Sequence, residues 1–162
     1  MTRTHIIGVD LGGTQIRAAL TDGEGTILVH ARRLTLAQEG PQPVLGRMKE
    51  AIRETLGDGA LDTVLGIGIA SPGPLDLEKG TMIRGINLPG WDNVPIRDII
   101  TEEFQVPVYL NNDANVAALG EYRFGAGRGC SDIVSLTVST GIGAVIIVAG
   151  KLLLGAHGWG GE

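Results

Sequence analysis

Near its start the chain reads His5-Ile6-Ile7-Gly8-Val9-Asp10-Leu11-Gly12-Gly13-Thr14-Gln15-Ile16-Arg17-Ala18-Ala19-Leu20, two apolar stretches joined by glycines. The first stretch has the make-up of a short buried strand. In the second, Ile16, Ala18 and Leu20 alternate with Gln15, Arg17 and Ala19, the period of a strand with one covered face. The glycines therefore join strand to strand. That excludes a P-loop, which needs Lys followed by Ser or Thr at the opening of a helix. It also excludes the dinucleotide fingerprint, whose spaced glycines open a helix too; here Gln15 follows Thr14 and an alternating run comes next. A hairpin remains whose backbone N–H groups, uncovered at Gly12 and Gly13, can point at phosphate oxygens, with the Thr14 hydroxyl added. Asp10, at the end of the first strand, is placed to hold a hydrated Mg2+ beside those phosphates. Asp-x-Gly-Gly is equally the composition of an ordinary tight turn.

Glycine supplies 26 of the 162 residues, against a usual ~7%, and the glycines gather between apolar runs. With 43% hydrophobic and 4% aromatic residues, the core is aliphatic and disorder is excluded. The pattern is that of a strand-rich α/β protein. Net charge is −5 with no basic block, since Lys49, Lys79 and Lys151 are the only lysines and the arginines are scattered apart from Arg32-Arg33. Nucleic acid is therefore a poor partner. The N-terminus reaches Asp10 and the glycine turn too early for a signal peptide, and the apolar stretch 144–156 is broken by Gly150 and Lys151, so no membrane span is expected and the cytosol is the default. Cys130 is alone, which leaves no disulfide framework and no cysteine-based metal site.

Further along, Asp22-Gly23-Glu24-Gly25 reads as a turn and residues 26–33 as a third strand, completing an antiparallel meander. A helix is predicted over 43–56, with Val44, Leu45, Met48, Ile52 and Leu56 on one face and Gly57 as its stop. Residues 64–70 form a buried strand closed by Ser71-Pro72-Gly73-Pro74; a loop-rich segment with Asn87-Leu88-Pro89-Gly90-Trp91 follows. Next come a helix over 95–104, a strand over 106–110 and a helix entered through Asn111-Asn112-Asp113. Gly125, Gly127 and Gly129 mark a flexible junction, giving one lobe over 1–124 and the beginning of a second over 125–162. Past it the opening pattern returns: a strand over 133–138, Ser139-Thr140-Gly141-Ile142-Gly143 as a small-residue turn, and a strand over 144–148.

Two glycine hairpins can grip one polyphosphate from both sides, although Thr140, Gly141 and Gly143 also suit a plain hairpin within a sheet. A phosphoryl transferase further needs a group that orients and deprotonates the acceptor hydroxyl. Asp113 is the candidate, because it ends a strand and begins a helix where loops gather ligands. The competing role, for Asn112 or Asp113, is a helix N-cap; a helix N-terminus also favours the ionised carboxylate, and a loose transition state asks mainly for orientation and a late proton acceptor. Asn87, Asn112 and Glu162 are candidates for sugar hydroxyls. His157 reads as solvated and Trp91 as a loop anchor.

Asp10-Leu11-Gly12-Gly13-Thr14, Pro72-Gly73-Pro74, Asn87-Leu88-Pro89-Gly90-Trp91, Asn112-Asp113-Ala114-Asn115 with Ala117-Ala118-Leu119-Gly120-Glu121, and Thr140-Gly141-Ile142-Gly143 occur in that order. In this the chain resembles the ROK family (repressors, open reading frames, kinases), and within it the bacterial glucokinases. The resemblance covers the whole chain. It implies an α/β, actin-like ATPase (ribonuclease H-like) lobe with an antiparallel meander plus βαβ units, and the start of a second similar lobe. It further implies ATP with Mg2+, and phosphorylation of a hexose at its 6-hydroxyl with Asp113 as catalytic base. Gly73, Asn87, Asn112, Asp113 and Glu162 would surround the sugar. Asp10, Gly12, Gly13, Thr14, Thr140, Gly141 and Gly143 would surround the phosphates. Glucose is the expected hexose, with N-acetylhexosamine, mannose or fructose as alternatives, and a homo-oligomer is implied because the family is commonly dimeric or tetrameric.

Ser139 and Ala144 stand where the family more often has glycine, which tightens backbone approach in the second turn. The family's Gly-His pair, cysteine-rich zinc loop and adenine pocket have no counterpart in this chain, which looks like the N-terminal half of a kinase. A sugar-sensing repressor of the same family would add a DNA-reading helix-turn-helix before the first strand; the few residues there and the acidic charge disfavour it. An actin-like filament or chaperone ATPase would share the hairpins without the Asn87 loop and the Asn-Asp-Ala-Asn segment.

Overall fold

The alternation at the start of the chain becomes a meander of three strands in the computed structural model, which describes residues 3–57, 60–85, 88–138, 142–155, 158 and 160. Strands β1 (His5–Leu11), β2 (Gln15–Thr21) and β3 (Ile27–Leu34) pair antiparallel in sequence order. Ile7, Val9, Leu11, Ile16, Ala18 and Leu20 share one face and none exceeds 6% exposure. On the opposite face Asp10 lies across from Arg17. The β2–β3 turn is closed by Asp22, whose carboxylate accepts from the amides of Glu24 and Thr26 at 3.0 and 2.8 Å. Those donors, Thr26 foremost, hold its carboxyl below the ordinary aspartate range.

Helix α1 (Pro41–Leu56) starts with proline in its first turn, where the missing N–H had no helical partner to lose. It begins two residues ahead of the predicted Pro43. Its end is at Gly57, with its amide donating to the Arg53 carbonyl at 3.3 Å and a φ of +54°, a positive value that glycine adopts without strain. Val44, Leu45, Met48, Ala51 and Ile52 are buried on the face turned to β2 and β3.

Strand β4 (Val64–Ser71) runs parallel to β1 and places Ala70 opposite Asp10. The segment expected to be loops contains β5 (Leu75–Asp76), β6 (Thr81–Arg84) and β7 (Asp92–Val94), a small antiparallel sheet. Strands this short leave no readable period. Helix α2 (Ile96–Phe104) buries Ile96, Ile100 and Phe104. It is clamped to α1 by Glu103, which accepts from Lys49 Nζ at 3.0 Å and from Arg53; the Arg53 guanidinium also lies 5.8 Å from the centre of the Phe104 ring. The five-stranded sheet has the order β3-β2-β1-β4-β8, with β8 spanning Val108–Asn112. β8 starts two residues later than predicted because Pro107 precedes it, its carbonyl accepting from the Ile67 amide at 2.9 Å.

The chain forms two compact units, Met1–Asn111 and Asn112–Glu162. In the second, helix α3 (Asp113–Phe124) packs on β9 (Ile133–Val138) and β10 (Ile142–Val148), and β11 (Lys151–Leu152) completes a sheet of order β11-β10-β9. The glycine junction after α3 is hydrogen-bonded back to the end of the helix. The Glu121 carbonyl accepts from the amides of Gly125 and Gly127, each at 3.0 Å, and Glu121 Oε2 accepts from Ala126 N at 2.9 Å. Among the described residues no helix is long and apolar enough to cross a membrane.

Candidate functional site

The turn between β1 and β2 is closed by the Gly12 amide donating to the Gln15 carbonyl at 2.9 Å. Gly13 and Thr14 stand exposed at its tip. A Cβ on Gly12 would come within 3.0 Å of the Gln15 oxygen, so a side chain there forces the turn to shift. The carbonyls of Gly12 and Thr14, which would repel a phosphate, are both engaged by one residue. Thr35 donates its hydroxyl to the Gly12 oxygen at 2.6 Å and its amide to the Thr14 oxygen at 2.9 Å. Thr35 is fully buried and is itself held by Arg47, whose Nη1 donates to the Thr35 carbonyl at 2.9 Å while its Nη2 pairs with Glu39. Sequence reading missed Thr35 and Arg47. Their only signal is a hydroxyl between Leu34 and Leu36 and a cation on the first half of α1, neither of which points to a turn over twenty residues away.

Asp10 lies at the end of β1 with its side chain 47% exposed and Arg17 Nη1 3.8 Å from Oδ2. One half-exposed carboxylate close in sequence to the exposed Gly13-Thr14 tip fits Mg2+, which keeps most of its waters and takes one or two carboxylates together with phosphate oxygens. Among the described residues no group of three or more His, Cys, Asp or Glu side chains is arranged to hold a metal by itself.

Because β4 is parallel to β1, Ser71-Pro72-Gly73-Pro74 leaves the sheet at the same end as the hairpin. Gly73 has φ +85°, and a Cβ would lie 2.7 Å from the Arg84 carbonyl. Only glycine fits there. Asn87 lies outside the described residues, but the loop on either side of it is pinned. Leu88 and Trp91 are fully buried, the Gly85 amide donates to the Trp91 carbonyl at 2.7 Å, and a Cβ on Gly85 would meet the Leu88 oxygen and Trp91 Cβ at 2.7 Å. Trp91 is thus the anchor of this loop.

In the second unit Asn112 caps α3, its Oδ1 accepting from the Ala114 amide at 2.9 Å. Asp113 Oδ1 accepts from the same amide at 2.8 Å. Cap and candidate base are therefore adjacent residues sharing one donor. Asp113 is exposed, and its Oδ2 has no hydrogen bond among the described residues. Gly143, read from the sequence as a turn residue, lies instead within β10, paired opposite Thr137, with open space where a Cβ would be. Thr140, Gly141 and Glu162, with Ser139 and His157, lie outside the described residues.

An antiparallel meander continued by a parallel strand, covered by α1 and opening at one end into a strand-to-strand glycine turn, is a lobe of the actin-like ATPase fold. The ROK family model matches residues 6–162, and the chain belongs to the ROK family. It is 43% identical over 162 residues to a glucokinase of Thermotoga maritima, covering all of this chain and 50% of that protein. It is 37% identical to a xylose repressor of Caldicellulosiruptor bescii, over 97% of this chain and 40% of the repressor. A crystal structure of a ROK family glucokinase from Streptomyces griseus, in complex with glucose and AMPPNP, superposes with a TM-score of 0.81 at 36% identity, covering 98% of this chain and 49% of that one. The chain spans about half the length of the relatives it matches.

Proposed function

We propose that the protein carrying this chain phosphorylates a hexose, glucose first among them, at its 6-hydroxyl with ATP. The observation that carries this is the β1–β2 turn, with its carbonyls taken up by Thr35 and its tip at Gly13 and Thr14 left to meet phosphate oxygens. The glucokinase of Streptomyces griseus, bound to glucose and AMPPNP, supports it. Thr140, Gly141 and Gly143 contribute the second phosphate contact, and Gly73, Asn87, Asn112, Asp113 and Glu162 surround the sugar. Asp113 Oδ2 accepts the hydrogen of the 6-hydroxyl and aims its oxygen at the γ-phosphorus. As that oxygen bonds to phosphorus, the bond to the bridging oxygen breaks, ADP leaves with the electron pair, and the proton passes to Asp113. Mg2+, held through water by Asp10, supplies charge neutralisation on the phosphate oxygens when bound. The lobe division over 1–124 and 125–162, a cytoplasmic location and a homo-oligomer belong to the same proposal.

The test is a coupled ATP assay across a hexose panel on the protein that carries this chain. Asp113→Asn is expected to lower kcat by about 10²–10⁴-fold with the KM for sugar little changed, because an isosteric polar group remains. Activity within about tenfold of wild type would remove Asp113 from the role of base. The likeness to a xylose repressor favours a second reading, in which the sugar is bound and not turned over. Saturable sugar binding with no ADP produced on any hexose would select it.

A further inference from the structure

The second unit contains a cleft of about 600 Å³ lined by Tyr122, Arg123, Arg128, Cys130, Ser131 and Gly150, among others. It lies beside the start of β9 and the end of β10. The glycine turn read as phosphate-binding joins the other ends of those two strands, so the length of β9, about 20 Å at ~3.3 Å per residue, separates the two places. The cleft is not part of the site proposed above.

Its walls are built and not loose. Successive turns run from α3 into β9: Arg128 N donates to the Gly125 oxygen and Cys130 N to the Gly127 oxygen, both at 3.1 Å. The Gly150 amide closes the far side on the Ser131 carbonyl at 2.8 Å. Gly150, with φ +73°, leaves a Cβ only 3.0 Å from the Tyr122 hydroxyl, and a Cβ on Gly127 would lie 3.0 Å from Tyr122 Cα. A side chain at Gly150 would be strained by its positive φ, and one at Gly127 would crowd Tyr122.

Two cations stand in the lining of this cleft, in a chain of net charge −5. Arg123 and Arg128 both line it, and no carboxylate does. Asp132 borders the cleft, its carboxylate taken up by two lining residues, Ala149 N and the Ser131 hydroxyl, and Glu121 is committed to Ala126 N. Arg17, Arg33, Arg47, Arg53, Arg84 and Arg97 all pair with carboxylates. Among the described residues the guanidinium groups of Arg123 and Arg128, like those of Arg3 and Arg32 in the first unit, have no carboxylate or hydrogen-bond partner. Arg123 and Arg128, both exposed, and Tyr122 share this lining, and guanidinium and phenol groups are donors of the kind that a tetrahedral oxyanion takes up.

We propose that this cleft is a second, independent anion site, binding the phosphoryl group of inorganic phosphate or of a small phosphorylated metabolite. The proposal does not rest on the kinase reading. Cys130, the chain's only cysteine, is exposed on the cleft wall and reports on it directly. The experiment measures the rate at which Cys130 reacts with iodoacetamide while inorganic phosphate is titrated at constant ionic strength. The rate is expected to fall to a plateau as the anion shields the thiol. Arg123→Gln and Arg128→Gln should each raise the half-saturating phosphate concentration by about tenfold or more. Arg128→Lys, which keeps the charge and loses the fork, should fall between. Arg32→Gln, an exposed arginine of the other unit, should leave the titration unchanged. Parallel titrations with glucose 6-phosphate and AMP identify the carrier by which saturates at the lower concentration. A linear, unsaturable response, or an Arg123→Gln/Arg128→Gln double variant that melts like wild type and titrates like it, overturns the proposal.

Discussion

Thr35 shows how one hydroxyl can decide the chemistry of a turn twenty residues earlier in the chain. Its two bonds to the Gly12 and Thr14 carbonyls fix the hairpin from beneath. Thr35→Val keeps the shape and removes the hydroxyl donor, leaving the Gly12 oxygen without it. The expected cost is about 1–3 kcal/mol in urea denaturation, with a fall in nucleotide affinity larger than any change in sugar affinity. Gly12→Val acts on the same turn from above: its Cβ meets the Gln15 oxygen, and its methyl groups cover the backbone offered to phosphate. Calorimetric titration of the variant should show weakened nucleotide binding with sugar binding retained. Equal loss of both would mean that the sheet, and not the turn, had been disturbed.

Helices α1 and α2 illustrate an element-scale contact that depends on charge as well as on packing. Glu103 accepts from Lys49 and Arg53, and the Lys49 hydrogen bond, followed by the charges of both partners, holds its carboxyl below the ordinary glutamate range. A carboxyl depressed in the folded state contributes stability above its unfolded value near 4.5, and that contribution is lost as pH falls through the lower folded value. Wild-type urea midpoints should therefore fall on acidification below about pH 5 more steeply than those of Glu103→Gln, and the two should converge at the acid end. Parallel curves over that range would remove Glu103 from the acid limb.

At the scale of the whole molecule, each sheet carries apolar side chains left exposed among the described residues. Val134, Leu136, Val138 and Ile142 on the β9–β10 hairpin are each at least 63% exposed, and β9 has a described neighbour on one side only. An open strand edge with apolar residues pairs readily with another copy. The 162-residue chain alone is expected to self-associate in light scattering after size exclusion, and Leu136→Lys is expected to shift it toward monomer. A monodisperse wild-type monomer would show that the edge is protected.

The sequence by itself determined the elements whose pattern is local. A short apolar run wrote β1, alternation wrote β2, the apolar face of Val44, Leu45, Met48 and Ile52 wrote α1, and Gly57 stopped it. The order of five short motifs in one chain was enough to indicate the family that residues 6–162 match. What only the tertiary structure decided are contacts between residues far apart in sequence. Gly66 is glycine because a Cβ there would lie 2.9 Å from the Pro107 carbonyl, and Gly73 because the Arg84 carbonyl lies across from it. Strands β5, β6 and β7 exist because they pair with one another, each too short to show a period of its own. Thr35 and Arg47 became parts of the candidate phosphate turn in the same way. Periodicity records which face of an element is covered, but the partner that covers it is fixed only when the chain closes on itself.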